Sequence, residues 1–278
     1  MIRLFASDMD GTFLDETHNT DAETIAYLKE IRSQGYHFAV ATGRNVHGTK
    51  RIDGIWEADV YLILLNGALI LDVDRNVIFE KPIDPDFIKK LVTAFPNKLF
   101  HFVTKDKILT TASKSELEQY CLKRHPASRS KSFEVETFLS QFQYGMDVET
   151  ILTQPILKIN LAEYDEKEYQ ALDFFLKKHT EAVVNAPFED HYFEITDHTI
   201  DKAQGVEQLA TLLHLDLDQV AVFGDGGNDV SMLKYFKHSY AMENGCTKAK
   251  EAAREVIGHC RDKAVIKKIN AILASQKI

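Results

Sequence analysis

The sequence predicts an α/β protein, a doubly wound parallel sheet interrupted by an inserted α+β region. Two observations lead to this prediction. Several short apolar runs end directly at polar residues, and helical segments separate the first of them, which is typical of parallel strands joined by crossovers. The middle of the chain instead mixes helical and strand-like segments. With 278 residues, 45% of them hydrophobic and 27% charged, the chain is long enough for two ordinary folded domains.

The core sheet is predicted from four apolar runs. These are residues 2–7 (IRLFAS), 36–41 (YHFAVA), 60–65 (VYLILL) and 220–224 (VAVFG). A helix is expected between the first two runs, because Thr20 and Glu23 have the spacing of a capping box and Gly35 provides a stop. After the insertion the core resumes near Lys202, with a helix that carries Val206.

The inserted region has the size of a domain. We expect residues 1–82 and 197–278 to form the core and residues 83–196 to form an α+β cap that covers the substrate. Within the insertion, SRSKS (128–132) is the most loop-like segment. Its predicted helices and strands are PDFIKKLVTAF and DEKEYQALDFFLKK, and LFHFVT, ILKINLA and HYFEIT, respectively.

Charge and hydropathy exclude several function classes. The net charge of −9 argues against nucleic acid as the main partner, because no basic stripe offsets it. No segment approaches the roughly 20 apolar residues of a membrane helix. An acidic motif begins only eight residues from the N-terminus, where a signal peptide would need an apolar run. We therefore expect a cytoplasmic protein with no membrane or nucleic-acid partner.

Two acidic motifs follow predicted strands. Asp8 and Asp10 stand two residues apart in DMDGT, so one carboxylate can act as nucleophile and metal ligand while the other moves a proton. Asp225 is the second residue of GDGGND and directly follows the last predicted core strand, and its carboxylate suits oxygen ligation of Mg²⁺. A polar turn and a helix N-cap at Asp229 are the ordinary alternatives. Parallel strands bring their carboxyl ends to one crevice, so the two motifs are expected to meet.

The residues after the second strand suit an anion. Thr42 and Gly43 can donate hydrogen bonds to phosphate oxygens, and Arg44 offers a charge-assisted donor nearby. A strand-to-helix turn explains the tripeptide equally well. Lys202 alone carries little information, because a lysine at the start of a helix is usually solvated.

Taken in order, DMDGT, TGR, a lysine and GDGGND resemble the motifs of the haloacid dehalogenase superfamily of phosphohydrolases. The insertion and Asn66-Gly67-Ala68 after the third strand resemble its Cof-type branch, in which a Rossmann-like core carries an α/β cap. The resemblance covers nearly the whole chain. The sequence departs from the pattern at two places. Ala203 and Gln204 separate Lys202 from Gly205, and Lys263 follows Asp262 where many relatives have glycine.

The resemblance implies a catalytic and metal-binding set. Asp8 is expected to be the nucleophile and a metal ligand. Asp10 is expected to be the general acid and base and to give its backbone carbonyl to the metal. Asp225 would be the third protein ligand of Mg²⁺, with Asp229 supporting the metal shell.

The resemblance also implies a substrate-binding set. Thr42, with Gly43 and Arg44 beside it, is expected to bind the transferring phosphoryl group. Lys202 would neutralise the charge on that group, and Asn228 would contact the substrate phosphate.

The expected activity is Mg²⁺-dependent hydrolysis of a small phosphorylated metabolite, a sugar phosphate or a phosphorylated cofactor, by a monomer or homodimer. Asp10 favours phosphoryl transfer over dehalogenation, since a dehalogenase needs no acid at that position. Two alternatives remain open at this point. One is a phosphomutase of the same architecture, and the other is a non-catalytic protein that binds a phosphorylated metabolite.

Overall fold

The computed structural model describes residues 1–124, 135–187 and 191–276, so the predicted loop at 128–132 lies outside the described residues. The strands are β1 (Leu4–Ser7), β2 (His37–Ala41), β3 (Tyr61–Leu64), β4 (Leu69–Leu71), β5 (Val77–Glu80), β6 (His101–Val103), β7 (Ile108–Leu109), β8 (Phe142–Gln143), β9 (Lys158–Ala162), β10 (Val183–Asn185), β11 (Tyr192–Asp197), β12 (Val220–Gly224), β13 (His238–Met242) and β14 (Glu255–Ile257). The α-helices are α1 (Ala22–Ser33), α2 (Val46–Lys50), α3 (Pro85–Ala94), α4 (Lys114–Arg124), α5 (Val135–Leu139), α6 (Val148–Leu152), α7 (Glu166–Lys177), α8 (Lys202–Leu212), α9 (Val230–Tyr235), α10 (Thr247–Ala252) and α11 (Ala264–Gln276).

The described residues divide into two compact units. The core unit contains Met1–Lys81, the described residues 186–187 and the described chain from Thr199 onward. The inserted unit contains the described residues of Pro82–Asn185 together with strand β11. None of the helices in the described parts of the chain is long and apolar enough to cross a membrane.

The core unit is built on a sheet that has eight strands among the described residues, in the order β14-β13-β12-β1-β2-β3-β4-β5. The strands from β14 to β3 run parallel, which confirms the predicted fold class. Strands β4 and β5 extend the sheet as antiparallel strands, a feature absent from the sequence prediction. Because Leu4 pairs with both His37 and Val220, β1 lies between β2 and β12. Asp8 and Asp225 therefore follow neighbouring strands.

Helices cover the core sheet through an apolar cluster. Val206 and Leu209 of α8 are fully buried in this cluster with strand residues such as Leu4 and Val222. Burying each such side chain contributes about 1.5–3 kcal/mol relative to leaving it in water. The cluster therefore fixes the position of α8, whose first residue is Lys202, relative to the strand ends.

The start of α1 differs from the prediction. Asp21, and not Thr20, is the N-cap residue, and its side chain accepts a hydrogen bond of 2.8 Å from the backbone N–H of Thr24. Asp and Thr both cap helices, so the sequence spacing alone did not distinguish them. Gly35 ends the helix in a left-handed conformation with a φ of 85°, as the sequence predicted.

The inserted unit has its own sheet and its own apolar cluster. Its described strands are ordered β10-β11-β9-β6-β7-β8 and pair antiparallel except for β7 with β8. Side chains from α3 and α7 pack on one face of this sheet, where Phe87 and Leu172 meet Ile159 and Phe193. The helices and strands predicted here from PDFIKKLVTAF, DEKEYQALDFFLKK, LFHFVT, ILKINLA and HYFEIT are all present.

Candidate active site

A buried ammonium group joins two carboxylates at the ends of the central strands. Lys202 Nζ donates to Asp8 Oδ1 at 2.5 Å and to Asp229 Oδ1 at 2.6 Å. The backbone N–H of Asp8 donates to the carbonyl of Phe223 at 2.9 Å, which fixes Asp8 beside β12. The Lys202 side chain is only 1% exposed, so it is not the solvated side chain that a lysine at a helix start usually is.

Close backbone contact positions Lys202. Asp201 caps α8 by accepting a hydrogen bond of 2.9 Å from the backbone N–H of Gln204. One turn into the helix, Gly205 lies so close to the Asn66-Gly67 loop that a Cβ there would stand 2.8 Å from Gly67 Cα. Gly205, which lies three residues after Lys202, thus lets α8 approach the end of β3.

Asp229 organises the loop after β12. Its Oδ2 accepts hydrogen bonds from the backbone N–H groups of Asp225, at 2.9 Å, and Gly226, at 2.8 Å. Its Oδ1 accepts from Lys202, so both oxygens already have hydrogen-bond donors. Its side chain does not cap α9, contrary to the ordinary N-cap interpretation of this motif. Asp229 therefore acts as a buried support for the Asp225 loop.

The Asp225 carboxylate is held from the DMDGT turn. Thr12 Oγ1 donates to Asp225 Oδ1 at 2.7 Å. Gly11, with a φ of 75°, leaves space for the carboxylate, because a Cβ at this position would stand 2.5 Å from Asp225 Oδ2. The turn after β1 thus places the two motifs in direct contact.

The charge of this cluster is unbalanced in a way that fits a divalent cation. Carboxylate oxygens of Asp8, Asp225 and Asp229 all lie within 4.8 Å of one another, and Lys202 is the cation bonded to them among the described residues. Burial raises the pKa of Asp8 well above its ordinary value, and the charges of Asp229 and Asp225 raise it further, against the opposing effect of Lys202. Burial and Asp229 also raise the pKa of Asp225. A metal cation bound by the carboxylate oxygens of Asp8 and Asp225 would offset that repulsion.

The Asp10 carboxylate has different neighbours. Arg44 Nε donates to Asp10 Oδ2 at 2.8 Å and Arg44 Nη2 donates to Asp10 Oδ1 at 2.5 Å. His18 Nδ1 donates to the same Oδ1 at 2.9 Å. Burial on its own would raise the pKa of Asp10, but the hydrogen bonds and positive charge of Arg44, with a smaller effect of His18, lower it.

The remaining residues of the predicted substrate-binding set lie in loops of the core unit. Thr42 is buried at the end of β2, and its Oγ1 accepts a hydrogen bond of 3.2 Å from the backbone N–H of Arg44. Gly43 stands between them. Asn228 has a half-buried side chain in the loop that Asp229 organises. The structure brings Asp8, Lys202, Asp225 and Asp229 into hydrogen-bonding or ion-pair range, while Arg44 contacts Asp10.

Three residues of the site were not identified from the sequence. Thr12 stands within DMDGT, so the signal was present but no role was given to its hydroxyl. Asn244 follows β13 and links two loops, because its Nδ2 donates to the Gly11 carbonyl at 2.6 Å and its Oδ1 accepts from the Cys260 N–H at 3.0 Å. The strand-end argument would have found Asn244 if β13 had been predicted. His18 carries no local signal.

Comparisons with known proteins agree with the motif resemblance. A family model described as haloacid dehalogenase-like hydrolase matches residues 5–269. The Escherichia coli protein named 5-amino-6-(5-phospho-D-ribitylamino)uracil phosphatase YbjI is 26% identical over 273 residues, which cover 98% of this chain and 96% of the relative. Phosphatase YwpJ of Bacillus subtilis is 25% identical over 268 residues, covering 92% and 94% of the two chains.

Solved structures share the fold. A haloacid dehalogenase-like hydrolase from B. subtilis superposes with a TM-score of 0.77 at 24% identity and covers 95% of this chain and 97% of its own. A second one, from Bacteroides thetaiotaomicron, has a TM-score of 0.77 at 21% identity, with coverages of 98% and 100%.

Proposed function

This chain belongs to the haloacid dehalogenase-like hydrolase family, and we propose that it hydrolyses phosphomonoesters through an aspartyl-phosphate formed on Asp8. It is a phosphatase of this family, as its curated relatives are named. The observation that carries the proposal is the buried contact of Lys202 with Asp8 and Asp229 beside the Asp225 loop. Such a cluster supplies a fixed carboxylate nucleophile and a fixed positive charge at the same point.

In the first half of the reaction, a carboxylate oxygen of Asp8 attacks phosphorus. The bond between phosphorus and the ester oxygen breaks, and the leaving oxygen takes a proton from the Asp10 carboxyl group. Lys202 holds the Asp8 carboxylate in one orientation and stabilises the negative charge on the phosphoryl group. The Thr42 hydroxyl and the Gly43 N–H orient that group for attack.

In the second half, a water molecule attacks the phosphorus of the aspartyl-phosphate. Asp10, now ionised, takes a proton from this water while the bond between phosphorus and the Asp8 oxygen breaks. The products are inorganic phosphate and the free Asp8 carboxylate, so each group returns to its starting state. The contact of Asp10 with Arg44 lowers the pKa of Asp10, so it favours the ionised form that this second step requires and makes the protonated form that donates in the first step a stronger acid.

The proposed metal ion is Mg²⁺, held by the carboxylates of Asp8 and Asp225 and the backbone carbonyl of Asp10. When bound, it would offset the repulsion between the Asp8 carboxylate and the phosphate oxygens. Asp229 would support this site from behind, because its two oxygens bind Lys202 and the loop N–H groups.

The proposed substrate is a small phosphorylated metabolite, with the inserted unit acting as the cap that sets specificity. The name of the E. coli relative gives a phosphorylated ribitylaminouracil as its substrate. A screen of phosphate release should therefore include this compound, sugar phosphates, nucleotides, pyridoxal phosphate and flavin mononucleotide, each with Mg²⁺ and with a chelator.

Replacement of the nucleophile tests the mechanism. Asp8→Asn keeps the size of the side chain but removes the nucleophilic oxygen, so we expect it to fold and to lose more than about 10³-fold in turnover. Asp53→Asn, at an exposed position of the core unit, is the matched control and should retain the parent rate. Near-parent phosphate release by Asp8→Asn would rule out the covalent mechanism. Substrate isomerisation without phosphate release by the parent would favour a phosphomutase.

A further inference from the structure

The Arg44 guanidinium is already bound to a carboxylate. Its Nε and Nη2 atoms bind the two oxygens of Asp10 in a bidentate pair, and its Nη1 donates to the carbonyl of Gly48 at 3.1 Å. Bidentate pairing fixes both the position and the plane of the carboxylate, which a single hydrogen bond does not do. All three guanidinium nitrogens therefore have acceptors within the core unit.

The backbone on either side of Arg44 is held as well. Its N–H donates to Thr42 Oγ1, and its carbonyl accepts a hydrogen bond of 3.1 Å from the N–H of Leu65. Next along the chain, Asn45 caps α2 by accepting a hydrogen bond of 2.8 Å from the N–H of Gly48. The guanidinium is thus presented to Asp10 from a segment held at both ends.

His18 reaches Asp10 from a separate turn. The carbonyl of Asp15 accepts from the N–H of His18 at 3.0 Å, and Asp15 Oδ1 accepts from the N–H groups of Thr17 and Asn19. His18 has a φ of 58°, a left-handed conformation that costs a non-glycine residue free energy. The closed turn maintains this conformation and directs Nδ1 at Asp10 Oδ1.

We propose that Arg44 and His18 are positioning residues that orient the Asp10 carboxyl group for proton transfer, and that Arg44 does not serve mainly to bind the substrate phosphate. This inference rests on the proposed function and assigns the TGR arginine a different role from the one its sequence position suggests. Thr42 and Gly43 remain the phosphate-binding part of the tripeptide.

The two roles of Arg44 predict different kinetics. Because Asp10 also takes a proton from water in the second step for every substrate, the two substrate classes are compared by the single-turnover rate of Asp8 phosphorylation. A residue that acts through Asp10 lowers this rate most for alkyl phosphates, whose leaving oxygen needs a proton, and much less for aryl phosphates such as p-nitrophenyl phosphate. We expect Arg44→Lys, which keeps the charge but loses the bidentate geometry, to lower this single-turnover rate for a sugar phosphate by about 10–100-fold. KM should change little, and the loss with the aryl substrate should be much smaller. A phosphate ligand would instead raise KM for both substrates alike.

A double-mutant cycle measures whether Arg44 acts through Asp10. In an Asp10→Asn background, adding Arg44→Lys should change alkyl phosphate turnover by less than about 3-fold, because the group that Arg44 orients is already inactive. Arg51→Ala removes a positive charge from an exposed position at the end of α2 and is the matched control. It should leave both substrates at the parent rate.

His18 provides an independent second variant. His18→Asn tolerates the left-handed conformation but is too short to donate to Asp10 as the imidazole does. We expect it to show the same bias against alkyl phosphates as Arg44→Lys, with a smaller loss.

Additive losses in the Asp10→Asn background, or a KM increase shared by both substrate classes, would overturn the inference. Absence of phosphate release by the parent protein would instead contradict the proposed function. The two failures are therefore distinguishable. Circular dichroism of each variant confirms that the fold is retained, and His18→Asn gives the result if Arg44→Lys does not fold.

Discussion

The core unit and the inserted unit both bury charged side chains, but at different places on their sheets. In the core unit, Asp8 follows the carboxyl end of a strand and meets Lys202 at the start of a helix. In the inserted unit, Lys158 and Glu194 lie within neighbouring strands β9 and β11 and pair with each other. In the core unit the charged side chains lie at the carboxyl ends of parallel strands. In the inserted unit an ion pair lies on the face of an antiparallel sheet.

The sequence context of the two arrangements also differs. Glycines accompany the core cluster, because a Cβ at Gly224 would stand 2.6 Å from the Cβ of Asp229 and a Cβ at Gly11 would collide with Asp225. In the inserted unit, Glu194 pairs in register with Asn160, two residues from Lys158, so the charged pair is a diagonal contact on one face. The apolar cluster occupies the opposite face.

This difference shows which buried charges a sequence reveals. Acidic residues next to glycines after an apolar run are recognisable locally, and the strand-end argument brings them together. A lysine and a glutamate in two alternating strands look like ordinary surface residues. Substitutions in each unit test whether these buried charged groups depend on the contacts described above.

The largest expected effect concerns the ion pair of the inserted unit. Lys158→Met removes the ammonium group that pairs with the buried Glu194 carboxylate, and breaking such a pair costs about 3–5 kcal/mol in unfolding free energy. Replacing both residues by apolar ones should recover most of this loss. Urea denaturation, followed by circular dichroism, measures both variants.

An exposed pair on α7 provides the control. Lys177 Nζ lies 2.6 Å from Asp173 Oδ2, and the Lys177 side chain is 71% exposed. Lys177→Met should leave the free energy of unfolding close to that of the parent, because water already solvates both charges. If Lys158→Met costs no more than Lys177→Met, the pair on the inserted sheet is solvated and the contrast between the units is lost.

A smaller effect is expected from Gly11→Ala in the core unit. The new Cβ would displace the Asp225 carboxylate from the cluster, so turnover should fall by about 10²-fold or more, equivalent to roughly 2.7 kcal/mol. Gly145→Ala in the inserted unit is the control, because Gly145 also has a positive φ, of 60°, but nothing lies within 4 Å of its Cβ position. It should cost about 1 kcal/mol of stability and leave turnover near the parent value. Equal turnover of the two variants would show that Asp225 does not need its present position.

The sequence predicted β1, β2, β3 and β12 of the parallel core because each is a continuous apolar run, as in VAVFG, with a motif residue directly after it. It did not predict β13 and β14 of the same core, because HSYAM mixes polar and apolar residues and EVI has only three residues. It did not predict β4 and β5, because strands of three and four residues around the turn at Asp72 carry too little pattern. His18 was missed because its contact with Asp10 depends on a turn with an unusual backbone conformation. Lys158 and Glu194 were missed as a pair because they come together only when two strands 34 residues apart in sequence pair in the sheet, from Lys158 at the start of β9 to Tyr192 at the start of β11.

The smallest effect concerns Lys263, which stands where the motif resemblance expects glycine. Lys263 has a left-handed conformation with a φ of 53° and a ψ of 41°, which disfavours any residue with a Cβ. Its Nζ lies 2.7 Å from both Asp21 Oδ2 and Glu23 Oε2, so an ion pair on the surface offsets the backbone cost. This lysine thus compensates for the missing glycine.

Two substitutions separate these contributions. Lys263→Ala keeps the backbone cost and loses the ion pair, so we expect a loss of about 0.2–1 kcal/mol at pH 7. Lys263→Gly loses the pair but also removes the backbone cost, so its stability should equal or exceed that of the parent.

Lys263 and the Thr24 N–H lower the pKa of Asp21 to about 2 from its ordinary 3.8. A carboxyl group whose pKa is lower in the folded protein than in the unfolded chain stabilises the fold at pH values above the unfolded pKa. This stabilisation is lost as the pH falls through the folded pKa, so the stability that Lys263→Ala loses relative to the parent should shrink between pH 4 and pH 2. Urea denaturation at pH 7, 4 and 3 measures the trend. Equal stability of the alanine and glycine variants at pH 7 would show that the left-handed conformation at position 263 costs no free energy. Backbone conformation would then not explain the glycine that the motif resemblance expects there.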